Sequence, residues 1–137
     1  METLPIRLSP GQDLRRALEA AVAAQGCSAG FVIAGIGSLA QARLRLAGMP
    51  NPRVLKGATE IVALSGSIAS NGSHLHATLA TSSGKVLGGH LAYGCTVRTT
   101  AEVLLVLLRE WEFKREPDAV TGYDELSVRR RVAPGSR

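Results

Sequence analysis

The sequence predicts an α+β fold, a mainly antiparallel β-sheet with one major flanking helix. Three observations carry this. One early segment has the apolar spacing of an amphipathic helix. Six or more later segments are short, apolar or alternating, and are bounded by Gly, Pro, Asn or Ser. The chain is 137 residues long and 45% hydrophobic, which suits one compact domain with a real core. One helix amid that many strands argues for α+β architecture.

In chain order, Thr3 to Leu8 alternates weakly and ends at Ser9-Pro10, a helix-start signal. Leu14, Ala17, Leu18, Ala21 and Val22 then share a face, with Arg15, Arg16 and Glu19 elsewhere. Gly26 is a stop, so a helix is expected from about 10 to 25, as a cover for the sheet. Gly30 to Leu39 and Ala42 to Ala47 read as strands, with Arg43 and Arg45 on one face of the second. Gly48 to Arg53 is a loop. Thr59 to Ala69 is a strand broken by Gly66. His74 to Ala80 and Lys85 to Ala92 flank Thr81-Ser82-Ser83-Gly84 and propose a hairpin. Ala101 to Phe113 fits helix or strand, and the run Val103 to Leu108 favours a strand buried on both faces. Pro117 to Tyr123 is a loop. Leu126 to Val132 reads as a closing strand that runs into a basic tail, residues 128–137, expected to be flexible.

Aromatic residues make up only 4%, so Ala, Val, Leu and Ile must build the core, and a stacking platform for single-stranded nucleic acid is not expected. No run is long enough to span a bilayer and no signal-peptide pattern opens the chain. The expected location is the cytoplasm, with no membrane partner. Cys27 and Cys95 lack metal or redox spacing and read as buried small hydrophobes. The formal net charge is +5. Arg129, Arg130 and Arg131, with Arg43 and Arg45, are the candidate contacts to phosphates of DNA. The plainer reading of each is a solvated charge.

The chain has three histidines, His74, His76 and His90. On a strand, His74 and His76 share a face, roughly 6.6 Å apart along the chain. If Ala80 pairs with Val86 across the hairpin, His76 lies opposite His90, with Cβ atoms ~5 Å apart. A two-residue shift brings His74 opposite instead. Either register puts all three imidazoles on one face. Gly88 and Gly89 allow a bulge or close approach there. Three converging imidazoles suit Zn2+ or another divalent transition ion with an open fourth position. The alternative is that they hydrogen-bond within the sheet or line an interface.

Glu60 and Glu102 are candidates for acid–base work, since apolar surroundings raise a carboxyl pKa. Arg98 is a candidate to hold a carboxylate substrate. No nucleophile elbow surrounds Ser65, and Gly35-Ile36-Gly37 lacks the rest of a dinucleotide fingerprint.

The pattern Glu60–Ile68, His74-Leu75-His76-Ala77 and Gly84–Leu91, with its Gly88-Gly89-His90-Leu91 ending, resembles the PPC domain (plants and prokaryotes conserved, DUF296). Gly11–Leu14, Gly35–Leu39, Thr100–Val103 and Thr121–Leu126 fit the same pattern. The resemblance covers about residues 4 to 127. It implies a single domain with an acetolactate-decarboxylase-like architecture and a homotrimeric assembly. It also implies the "PD1-like DNA-binding" label of prokaryotic members, and metal ligation by His74, His76 and His90. Plant members add Arg-Gly-Arg-Pro AT-hooks, and this chain has none. The reading that follows is a DNA-associated regulatory trimer with a three-histidine metal site. The alternative is a metal-dependent enzyme or small-molecule binder acting on a carbonyl or carboxylate compound. A third is a trimer whose histidines only line an interface.

Overall fold

The periodic segment near the start forms the one helix among the described residues, α1 (Leu14–Ala24). It begins later than the Ser9-Pro10 signal. Pro10 and Gly11 are spent on a turn, with Gly11 at φ +85°. Asp13 takes the cap instead, accepting from the Arg16 amide at 3.1 Å. The same carboxylate accepts from the Gly94 amide at 2.7 Å, which ties the helix start to a distant loop. Gly26, at φ +62°, ends the helix region as expected.

The rest is strand: β1 (Glu2–Leu8), β2 (Ala29–Arg45), β3 (Arg53–Ala69), β4 (Gly72–Thr81), β5 (Val86–Leu91), β6 (Thr96–Leu107), β7 (Trp111–Pro117) and β8 (Asp124–Arg130). This computed structural model describes residues 1–132. Six strands form an antiparallel sheet in the order β1-β6-β2-β3-β4-β5. β5 returns to β2 through Leu44–Leu91 and Arg45–His90. The strands β2, β3, β4 and β5 therefore close on themselves. β7 and β8 form a separate two-stranded sheet.

Three expectations shift. The two strands expected over 30–47 are one, β2, because a bulge at Leu39–Gln41 absorbs the change of phase. β3 is not broken at Gly66, which stays paired with Val32 and Leu75. A Cβ there would lie 2.1 Å from the His74 carbonyl oxygen, and φ is +141°, so glycine continues the strand where another residue would clash. The apolar run after Thr100 is strand, but it ends at Leu107, and Trp111 opens β7 after a short turn.

The basic tail expected from residue 128 starts too early. Val128, Arg129 and Arg130 pair with Phe113, Glu112 and Trp111, so their backbone groups are held in a ladder. Residues 133–137, Arg137 among them, lie outside the described residues.

Leu14, Leu18 and Val22 of α1 pack with Leu44, Leu75, Leu79, Leu91 and Leu105 in one aliphatic core. Cys27 and Cys95 are free thiols buried in it, and burial pushes the Cys95 thiol up to about 11. No helix is long and apolar enough to cross a membrane among the described residues.

Candidate metal centre

Alternation along β4 sets the site. Ser73, Leu75, Ala77 and Leu79 are buried, so His74 and His76 point to the opposite face. The turn between β4 and β5 is closed by the Thr81 amide donating to the Lys85 carbonyl at 2.8 Å and the Gly84 amide to the Thr81 carbonyl at 2.9 Å. It fixes Ala80 opposite Val86, and His76 falls opposite His90, the first of the two registers considered above. The potential ligand nitrogens of His74, His76 and His90 lie within 4.8 Å of one another. His74 Nε2 and His76 Nε2 are 3.0 Å apart.

Of the two glycines before His90, Gly89 is the one that allows close approach. A Cβ on it would lie 2.9 Å from the Arg45 carbonyl oxygen, so a side chain there would push β5 off β2. Gly88 would meet only ordinary contacts.

Burial pushes the His90 imidazole down to about 4, helped by His74, Arg45 and Arg15. Burial likewise lowers His74, with His76 and Arg115 adding to it and Glu125 opposing. Both rings are therefore neutral near pH 7, the state in which imidazole ligates a metal. Metal–nitrogen bonds of ~2.0–2.1 Å in a tetrahedron hold nitrogens roughly 3.3 Å apart. The ligand nitrogens, from 3.0 Å to within 4.8 Å of one another, bracket that spacing, so the donor set fits one ion once the rings turn toward it.

His74 and His90 line a cavity of about 520 Å3. Its other walls come from distant elements: Arg15 of α1, Arg45 of β2, Tyr93, Arg115 of β7, and Asp124 and Glu125 of β8. Arg15 is held on all sides. It donates to the Ser73 carbonyl at 2.6 Å, the Ser73 hydroxyl at 3.0 Å, the Leu91 carbonyl at 3.3 Å and Glu19 at 3.3 Å. Its guanidinium lies 4.1 Å from the Tyr93 ring centre, and Tyr93 donates to Glu19 at 3.0 Å. Arg15 thereby links the strand ends that carry His74 and His90.

The other predicted residues sit elsewhere, with one exception. Arg45 pairs with His90 and lines the cavity. Arg43, two residues earlier, is half-buried against Gly94. Glu60, Arg98 and Glu102 come together around Ser38 and Thr99 in a second depression that shares no lining residue with the first. Both carboxylates there are exposed, because they occupy outward positions of β3 and β6, so the apolar surroundings expected for acid–base work are absent. Arg129 pairs with Glu116 at 2.9 Å, Arg130 with Glu110 at 3.4 Å, and Arg131 donates to the Ser28 hydroxyl at 2.8 Å.

Sequence reasoning missed Arg15, Tyr93, Arg115 and Glu125. Arg15 carried a faint signal, a cation off the apolar stripe of the helix. The others reach the site only through long-range packing.

Fold and site together define a small β-rich domain with a three-histidine cluster opening onto a cation-lined cavity. The Plants and Prokaryotes Conserved (PCC) domain matches residues 1–109, and the chain belongs to that family. A bifunctional protein GlmU from a Synechococcus species is 47% identical over 128 residues, which are 93% of this chain and 20% of that protein. The chain thus spans about a fifth of the length of that curated relative. A hypothetical protein from Salmonella has the same structure at 37% identity, with a TM-score of 0.91 over 96% of this chain and 95% of that one. A metal-containing protein from Archaeoglobus fulgidus matches at 26% identity and a TM-score of 0.78, over 91% and 92%. A Bacteroides thetaiotaomicron protein with a provisional DNA-binding name shares the fold at 22% identity, with a TM-score of 0.81 over 91% of each chain.

Proposed function

We propose that the protein binds one divalent transition ion, Zn2+ in the first instance, through His74, His76 and His90, and presents its open position to a small molecule. The observation that carries this is the convergence of three imidazoles within 4.8 Å at the mouth of a cavity. The metal-containing Archaeoglobus relative supports it. A bound ion of this kind polarises a carbonyl oxygen or activates water. The chain's own part is to hold the His74 and His90 rings neutral through burial, with the strand ends that carry them tied by the Arg15–Ser73–Glu19 network. Elemental analysis of wild type beside His76→Ala tests this. Near-stoichiometric metal in wild type, lost in the variant, supports it. A wild type still metal-free after incubation with Zn2+ overturns it.

The assembly we propose is a homotrimer. Ile33, Ile36 and Val62 are each more than half exposed on the neighbouring strands β2 and β3. An apolar patch of that kind suits an interface. Sedimentation giving the mass of one chain would overturn it.

The +5 charge and the provisional name of the Bacteroides protein favour a second reading, DNA association through Arg43, Arg45 and Arg129–Arg131. That reading requires duplex affinity that falls steeply with salt and weakens when Arg129–Arg131 are replaced. No binding at about 50 mM salt would sink it.

A further inference from the structure

The cavity beside the histidines carries charged side chains of both signs. Three guanidiniums line it, from Arg15, Arg45 and Arg115, against two carboxylates, Asp124 and Glu125. Arg15 is consumed by Ser73, Leu91 and Glu19. The other two are not. Arg115 donates through one Nη to the Ser67 hydroxyl at 2.6 Å, but its Nε is buried without a partner. That Nε has almost no accessible surface, so what Arg115 offers the cavity is the rest of its guanidinium, of which one Nη is bonded to Ser67. Arg45 is half-buried opposite His90, and among the described residues its guanidinium forms no hydrogen bond or ion pair. The two arginines reach the cavity from β2 and β7, which belong to different sheets.

We propose that Arg45 and Arg115 form an oxyanion subsite beside the histidine centre, for a small molecule whose carboxylate or phosphate they hold. Its second oxygen donor faces the three imidazoles. The inference deepens the metal reading and rests on it for that second contact. It assigns anion recognition to Arg45 and Arg115, and leaves Arg98 outside the site. Guanidinium is the suited group, because its planar fork matches both oxyanions.

The test is calorimetric titration of the Zn2+-loaded full chain with oxalate, and separately with inorganic phosphate. The visible spectrum of the Co2+-loaded chain is the second readout. Oxalate is expected to bind and to change the Co2+ spectrum. Arg45→Gln and Arg115→Gln should each weaken it about ten- to hundredfold with metal content unchanged, while Arg98→Gln leaves it alone. The same pattern with phosphate in place of oxalate identifies a phosphoryl ligand and supports the same subsite. The Arg115 side chain also bonds the Ser67 hydroxyl, so its variant is checked for folding by circular dichroism. Arg45 has no such ties, and its variant carries the test if the other fails to fold. Absence of binding by both anions, or binding indifferent to both arginines, overturns the proposal. If elemental analysis finds no metal, the metal reading fails separately. The arginine dependence of anion affinity in the metal-free chain then decides the subsite by itself.

Discussion

Two polar clusters occupy strands of the same sheet, and they differ in what surrounds them. His74 and His90, with the exposed His76 beside them, are joined by side chains from α1, β2, β7 and β8 that line one cavity. Glu60, Arg98 and Glu102 also converge, but on outward positions of β3 and β6 where each is exposed. The groups in the second cluster stand on the surface, open to solvent. In the first, burial holds two imidazoles neutral and leaves an arginine N–H without an acceptor. Proximity brings charges together in both places. Only enclosure by distant elements changes what they can do.

The largest effect that would sharpen this contrast is on metal. His90→Ala should reduce bound Zn2+ from about one ion per chain to nearly none by elemental analysis, because two imidazoles are too few for a stable site. Metal retained by that variant would break the comparison. Next comes backbone. Gly66→Ala, which places a Cβ against the His74 carbonyl, should cost about 3 kcal/mol in urea unfolding and weaken metal binding with it. Gly37→Ala, beside Thr100 and Ala101 at the second cluster, should cost a similar amount and leave metal affinity alone.

A smaller effect is pH dependence of the metal-free protein. The depressed His90 pKa means the unfolded chain binds more protons than the folded one between about 4 and 6.5. Stability therefore rises with pH across that window and is lost as pH falls through it. Tm of the metal-free chain should fall on acidification from 6.5 to 4, and His90→Gln should flatten the change. The smallest effect is expected at the second cluster. Glu60→Gln and Glu102→Gln should each change stability by less than about 0.5 kcal/mol and leave bound metal unchanged. A loss of metal in either variant would join the two clusters into one site.

The histidine centre was legible because it is local. A four-residue turn, strand alternation and one register put His76 opposite His90, and all three follow from neighbours along the chain. The same holds for α1 and for the choice of strand over helix in Val103–Leu107. Where local signals competed, sequence reasoning slipped. Ser9-Pro10 offered a helix start, and Asp13 won because its carboxylate also binds the amide of Gly94, far along the chain. Gly66 looked like a break, and is the residue that lets β3 pass His74.

The sequence by itself determined the class of fold, the hairpin and the three imidazoles it carries, since periodicity and turn chemistry act over a few residues. Tertiary structure alone decided that β5 closes back on β2, that Arg45 belongs beside His90, and that Arg15 and Arg115 arrive from a helix and a second sheet. Those contacts span dozens of residues, and their geometry comes from how the sheets pack, which no short window of sequence encodes.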